Sequence, residues 1–196
     1  ESGQAILAVT AFRRAAELNA EEATSHSNLA VALHENGDTE QAVASLRRAV
    51  ALDPQCAEAH YNLGVMLREA DKLEEAIDAY RSALELEPGL ADTYNNLGAV
   101  LCSQGEVAQG IDAYKKALAV APAHKEAAYN LGAELSKVAF SSTDRSLYPC
   151  LIGILETTFT VTPADIAPAV LSLLRHDQVL ADCFKDESRE FTLDAM

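Results

Sequence analysis

The chain has 196 residues, 20.9 kDa, with 15 basic against 30 acidic side chains, a formal net charge of −15 and a pI near 4.6. That balance excludes nucleic acid as the main partner, because phosphate binding draws its affinity from clustered Lys and Arg. Hydrophobic residues make up 49% and aromatics 6%, with no Trp, a composition that fits an Ala, Leu and Val core in helices better than one in sheets.

At the amino end, Glu1-Ser2-Gly3-Gln4 carry neither an initiator Met nor a basic-then-apolar leader, so the sequence reads as a piece of a longer chain. Gly3 to Leu18 has helical periodicity and matches the second half of a 34-residue repeat, with Ala8, Phe12 and Ala15 in register with Ala42, Leu46 and Ala49. This half row, 1–22, precedes full rows at 23–56, 57–90 and 91–124 and the first helix of a further row at 125–138. His26-Ser27-Asn28-Leu29-Ala30 aligns with His60-Tyr61-Asn62-Leu63-Gly64, Tyr94-Asn95-Asn96-Leu97-Gly98 and Ala128-Tyr129-Asn130-Leu131-Gly132. Pro54, Pro88 and Pro122 recur at the same interval.

Each row predicts a helix, a tight turn and a second helix. Gly37 and Gly105 supply the left-handed residue that ends the first helix; Asp71 stands in that place in the row between them and makes its turn the weakest. The prolines stop the second helices. Ala30, Gly64 and Gly98 are expected to face Ala42, Ala76 and Gly110 where the two helices approach closely. One such pair cannot bury its own apolar faces, so the core exists only by stacking. The fold class is therefore all-α, a right-handed helical solenoid over 1–138.

After Val138 the period stops. Ser141-Ser142-Thr143-Asp144 reads as a loop, and Arg145–Thr158, Thr162–Leu174 and a short stretch from Asp177 read as helices, so 139–196 forms a helical cap over the open end or a linker. The longest apolar run, Leu147–Leu155, falls short of the roughly 20 residues that cross a bilayer, which excludes a membrane partner. Cys56, Cys102, Cys150 and Cys183 show neither CxxC nor zinc-ligand spacing. Free thiols in a reducing, cytoplasmic setting are the expectation.

The recurring Asn-Leu-small, Gly-turn, Ala and Pro signals resemble the tetratricopeptide repeat family over the first two thirds of the chain. The sequence departs from the family's large aromatic near the start of each first helix, where His26, His60, Tyr94 and Ala128 stand. The resemblance implies a non-catalytic module that binds a protein or an extended peptide in a concave groove. Curvature then puts the first helices inside, and the groove is expected to hold Asn28, Val31, Tyr61, Asn62, Val65, Asn95, Asn96, Tyr129 and Asn130. Glu58, Asp92 and Glu126 edge it, opposed mainly by Arg68 and Lys137, so the expected ligand is neutral or basic.

One Asn per row resembles the asparagine ladder of the superhelix attached to O-GlcNAc transferase. An Asn at this place either bonds a ligand backbone or bridges two helices of the stack. The basic pairs Arg13-Arg14, Arg47-Arg48 and Lys115-Lys116 read as a solvated outer face. His26 and His60 read as packing imidazoles rather than metal ligands. No phosphate loop, paired-carboxylate site or nucleophile–base arrangement stands out, so no enzyme activity, cofactor or metal is expected. The alternative is the substrate-recruiting arm of a larger transferase, a glycosyltransferase or methyltransferase whose catalytic domain lies outside this chain.

Overall fold

The computed structural model describes residues 2–135, which form eight α-helices: α1 (Ser2–Leu18), α2 (Ala23–Glu35), α3 (Thr39–Leu52), α4 (Ala57–Glu69), α5 (Leu73–Leu86), α6 (Ala91–Ser103), α7 (Val107–Val120) and α8 (Lys125–Leu135). Each helix packs on its neighbours in sequence, so α2/α3, α4/α5 and α6/α7 are three stacked pairs flanked by α1 and α8. The chain is an all-helical repeat solenoid. The cap or linker expected in 139–196 lies outside the described residues.

The turn within each pair follows from local backbone chemistry. Gly37 (φ 88°) and Gly105 (φ 84°) adopt the left-handed conformation, and Asp71 does so at φ 57° without being glycine. The same closing bond follows in each pair: the N–H groups of Asp38, Lys72 and Glu106 donate to the carbonyls of Leu33, Leu67 and Leu101 at 2.8, 2.8 and 2.9 Å, the six-to-one bond of a Schellman cap. The second helices stop at Leu52, Leu86 and Val120, two residues before each proline.

The expected small-against-small contact holds between Gly98 and Gly110, where a Cβ on either would come within 3.0 Å of the other's carbonyl oxygen, and a tyrosine ring adds to the crossing. A Cβ on Gly64 would come within 2.6 Å of the Tyr80 ring, and one on Gly98 within 2.7 Å of the Tyr114 ring and 3.0 Å of the Gly110 carbonyl oxygen. The glycines thus make room for a tyrosine of the second helix, which crosses above the backbone. Where that place holds the smaller Leu46, the corresponding position on α2 is Ala30. Leu46, Tyr80 and Tyr114 are all buried, whereas Phe12, the equivalent on α1, is 38% exposed.

Consecutive second helices are also strapped together on their outer side. Arg13 Nη2 donates to Gln41 Oε1 at 3.0 Å, and Arg47 pairs with Glu75, each across 28 residues. Arg48 reaches Glu21 at 3.0 Å. Arg13, Arg47 and Arg48, expected only to be solvated, link rows while staying largely exposed, whereas Arg14 and Lys116 pair with Glu17 and Asp112 of their own helices. Arg81, next in register, instead lies 4.0 Å from Asp78 of its own helix. Between α5 and α7 an open cleft of about 620 Å³ remains above Leu84, Leu97 and Leu101.

Candidate functional site

First helices touch one another directly, α4 with α6 and α6 with α8, and among the described residues no two second helices come equally close. The stack therefore bends with the first helices inside. On this inner face the row register brings residues about 35 positions apart within hydrogen-bonding reach.

Two such links join the third row to its neighbours. Asn96 Nδ2 donates to Tyr61 Oη at 3.3 Å, and Arg68 Nη1 donates to Asn96 Oδ1 at 3.2 Å, tying α6 to α4. Asn130 Nδ2 donates to Asn95 Oδ1 at 3.0 Å, tying α8 to α6. A primary amide offers two N–H groups and two carbonyl lone pairs. Among the described residues Asn96 therefore keeps one donor and one acceptor site, and Asn130 keeps one donor and both acceptor sites. The inter-row bonds orient the amides without exhausting them.

Histidines add to this stitching. His124 Nε2 donates to Asp92 Oδ1 at 3.0 Å while its Nδ1 accepts from the Ala127 N–H at 3.2 Å, so one ring caps α8 and bridges to α6. His34 Nδ1 lies 3.1 Å from Glu69 Oε2 but makes no hydrogen bond among the described residues, so it does not add to the stitching. His26 and His60 donate through Nε2 to the carbonyls of Ala20 and Pro54, each at 3.1 Å, clamping the loops before their helices.

A cavity of about 610 Å³ opens on this face, lined by Arg68, Asn95, Asn96, Ala99, Lys125, Glu126, Tyr129 and Asn130. It gathers four of the expected groove residues, Asn95, Asn96, Tyr129 and Asn130. Asn95, expected on the groove surface, is buried, only 5% exposed, and works mainly as the acceptor for Asn130. Tyr129 is 54% exposed. Asn28, Val31, Glu58, Tyr61, Asn62 and Val65 do not line the cavity. Asn28, Val31 and Glu58 are exposed, and Tyr61, Asn62 and Val65 half-buried. Asp92, expected as a groove-edge carboxylate, is exposed and committed to His124. Lys137 lies outside the described residues.

Lys125 also lines the cavity, and no motif marks it: it is a lone lysine ahead of Glu126, one helical turn before Tyr129. Burial holds the Tyr61 phenol above its usual pKa, helped by the nearby Asp92 carboxylate and opposed by Asn96 and Arg68. Tyr61 therefore stays a neutral hydroxyl at physiological pH. Cys56 and Cys102 are in no disulfide. Among the described residues no helix is long and apolar enough to cross a membrane, and no three His, Cys, Asp or Glu side chains gather as a metal site would require.

Tetratricopeptide repeat models match residues 1–55, 35–91 and 90–121. No curated protein matches the chain in sequence. Among solved structures, one crystal structure of MamA is 23% identical, covering 85% of this chain and 87% of its own at a TM-score of 0.65. Another MamA crystal structure is 25% identical, covering 97% of this chain and 89% of its own at 0.65. MamA 41-end from Desulfovibrio magneticus RS-1 is 17% identical, with 97% and 89% covered and a TM-score of 0.66. These likenesses are ones of fold.

Proposed function

The chain belongs to the tetratricopeptide repeat family, whose repeats serve as protein-interaction scaffolds, and on that premise we propose that the face of α2, α4, α6 and α8 holds an extended peptide or partner segment. The observation that carries this reading is the pair of amides, Asn96 and Asn130, fixed between rows with donor and acceptor capacity left over. A carboxamide bonds a peptide unit whatever side chain that unit carries. Packed helices lie about 8 to 10 Å apart and an extended chain advances about 3.3 Å per residue, so each row meets about every third peptide residue. Four rows span a segment of roughly ten residues.

The exposed carboxylates of Glu58 and Glu126 favour a neutral or basic ligand. The role is recruitment rather than turnover, and Cys56 and Cys102, neither of them in a disulfide, fit a reducing intracellular setting. The test is an array of acetylated, amidated peptides of about ten residues, probed with the intact chain. Retention of extended peptides with zero or positive net charge is expected. An array that retains nothing, or mainly peptides of net negative charge, refutes the reading.

A further inference from the structure

Arg68 occupies the last turn of α4, half-buried, and its guanidinium donates to the neutral Asn96 Oδ1 at 3.2 Å. Among the described residues it forms no ion pair with a carboxylate, although Arg14, Arg47 and Arg48 each have one. In a chain with twice as many acids as bases, 30 against 15, a half-buried cation without a counter-charge stands out. Partial burial weakens its hydration, and a lone amide oxygen does not neutralise it. A guanidinium has five N–H donors in a planar fork; the bond to Asn96 uses one.

The cavity that Arg68 lines contains a second cation, Lys125, exposed in the first turn of α8, and among the described residues it too has no ion-pair partner. The helix N-terminus beneath it adds to the positive field. Glu126 is the only carboxylate of the lining. Asn96 and Asn130 belong to the same lining as the two cations, with amide capacity left over.

We infer that this cavity takes the carboxylate side chain of an Asp or Glu in the bound peptide, held by Arg68 and Lys125, while Asn96 and Asn130 bond the peptide backbone beside it. The inference rests on the peptide-groove reading and deepens it: a ligand of neutral or basic net charge carries one acid in fixed register with the second to fourth rows. Arg68 sits on α4, with α2 before it and α6 and α8 after it in the stack, so the peptide continues past it in both directions. The carboxylate is therefore a side chain and not a chain terminus.

The test is a positional scan of acetylated, amidated peptides of about ten residues against the intact protein at low and high salt. At one position Asp or Glu should be preferred over Asn or Gln by about tenfold or more, the range of a charge-assisted hydrogen bond. The preference should shrink at high salt, collapse to about twofold or less in Arg68→Gln, survive in part in Arg68→Lys, and weaken in Lys125→Gln. Circular dichroism establishes that each variant is folded; should Arg68→Gln fail to fold, the exposed Lys125 carries the test. Binding without any acid-preferring position overturns the inference and leaves the groove reading standing. So does a preference that neither Arg68→Gln nor Lys125→Gln changes, or one seen only with non-amidated peptides. If wild type retains no peptide at all, the groove reading falls and the inference with it.

Discussion

The ring of Tyr80 lies across the backbone of Gly64, so close that a methyl group there would sit 2.6 Å from two ring carbons. Tyr114 stands in the same relation to Gly98. Both rings are buried between helices that the neighbouring rows also pack against, so neither can swing aside into solvent. Gly64→Ala should cost about 1 to 3 kcal/mol, and Gly98→Leu more, because its side chain would also meet the Gly110 carbonyl. Thermal melts by circular dichroism should show a midpoint lower by several degrees for the first and cooperative loss beyond one repeat for the second. An unchanged midpoint in either would mean that the crossing relaxes freely.

The Tyr80 hydroxyl is buried without a hydrogen-bond partner among the described residues, and burial pushes its pKa up to about 12. A group whose pKa is higher folded than unfolded adds stability below the unfolded value and loses it as pH rises through the folded one. For Tyr80 that window runs from about pH 10 to pH 12. The solenoid should therefore lose urea stability across this window, and Tyr80→Phe should lose less of it. At neutral pH the same variant should be as stable as wild type or slightly more so, since it removes an unsatisfied polar atom. A large loss at pH 7 would show that the hydroxyl has a partner after all.

How much of this was legible depends on the range of each signal. Gly37, Gly105 and the three prolines fix turns and helix ends through their own backbones, so the repeat and its helices could be read directly, and Asp71 takes the left-handed place that its position demanded. The tyrosine crossings were only half legible: the small residues at Gly64 and Gly98 marked a close approach but not what approaches. The straps from Arg13 and Arg47 were hidden, because a separation of 28 residues has meaning only once second helices lie side by side. Asn95 and Asn96 looked alike in sequence, yet adjacent helical residues point about 100° apart, so one is buried as an acceptor and the other reaches Tyr61.

Asn96→Ala should separate two roles of one amide. Losing the bonds to Tyr61 and Arg68 should cost about 0.5 to 1.5 kcal/mol of unfolding free energy, read in urea titrations, whereas Asn28→Ala, at an exposed place, should cost almost nothing. Combined with Asn62→Ala, the substitution should also weaken a bound peptide about fivefold to a hundredfold. Loss of stability with full retention of peptide affinity would make these asparagines struts and nothing more.

Asp71→Gly is expected to stabilise. At φ 57° a side chain costs roughly 1 to 2 kcal/mol that glycine avoids, partly offset by the greater freedom of glycine in the unfolded chain. A gain of up to about 1 kcal/mol in denaturant unfolding is the expected result, and a loss would mean that the Asp71 carboxylate contributes something the left-handed backbone does not.

The links between rows obey a fixed arithmetic. Excising 57–90 in frame would leave Arg47 opposite Gln109, the same residue type that Arg13 already meets at Gln41. On the inner face the same cut would remove Tyr61 and Arg68 and leave Asn96 facing Ser27 and His34 in their places. The outer surface thus behaves as an interchangeable cassette, so the rod can be shortened by one unit without redesign, whereas the inner surface is written once along its length. Durability is distributed over every unit; recognition is held by a particular order of them.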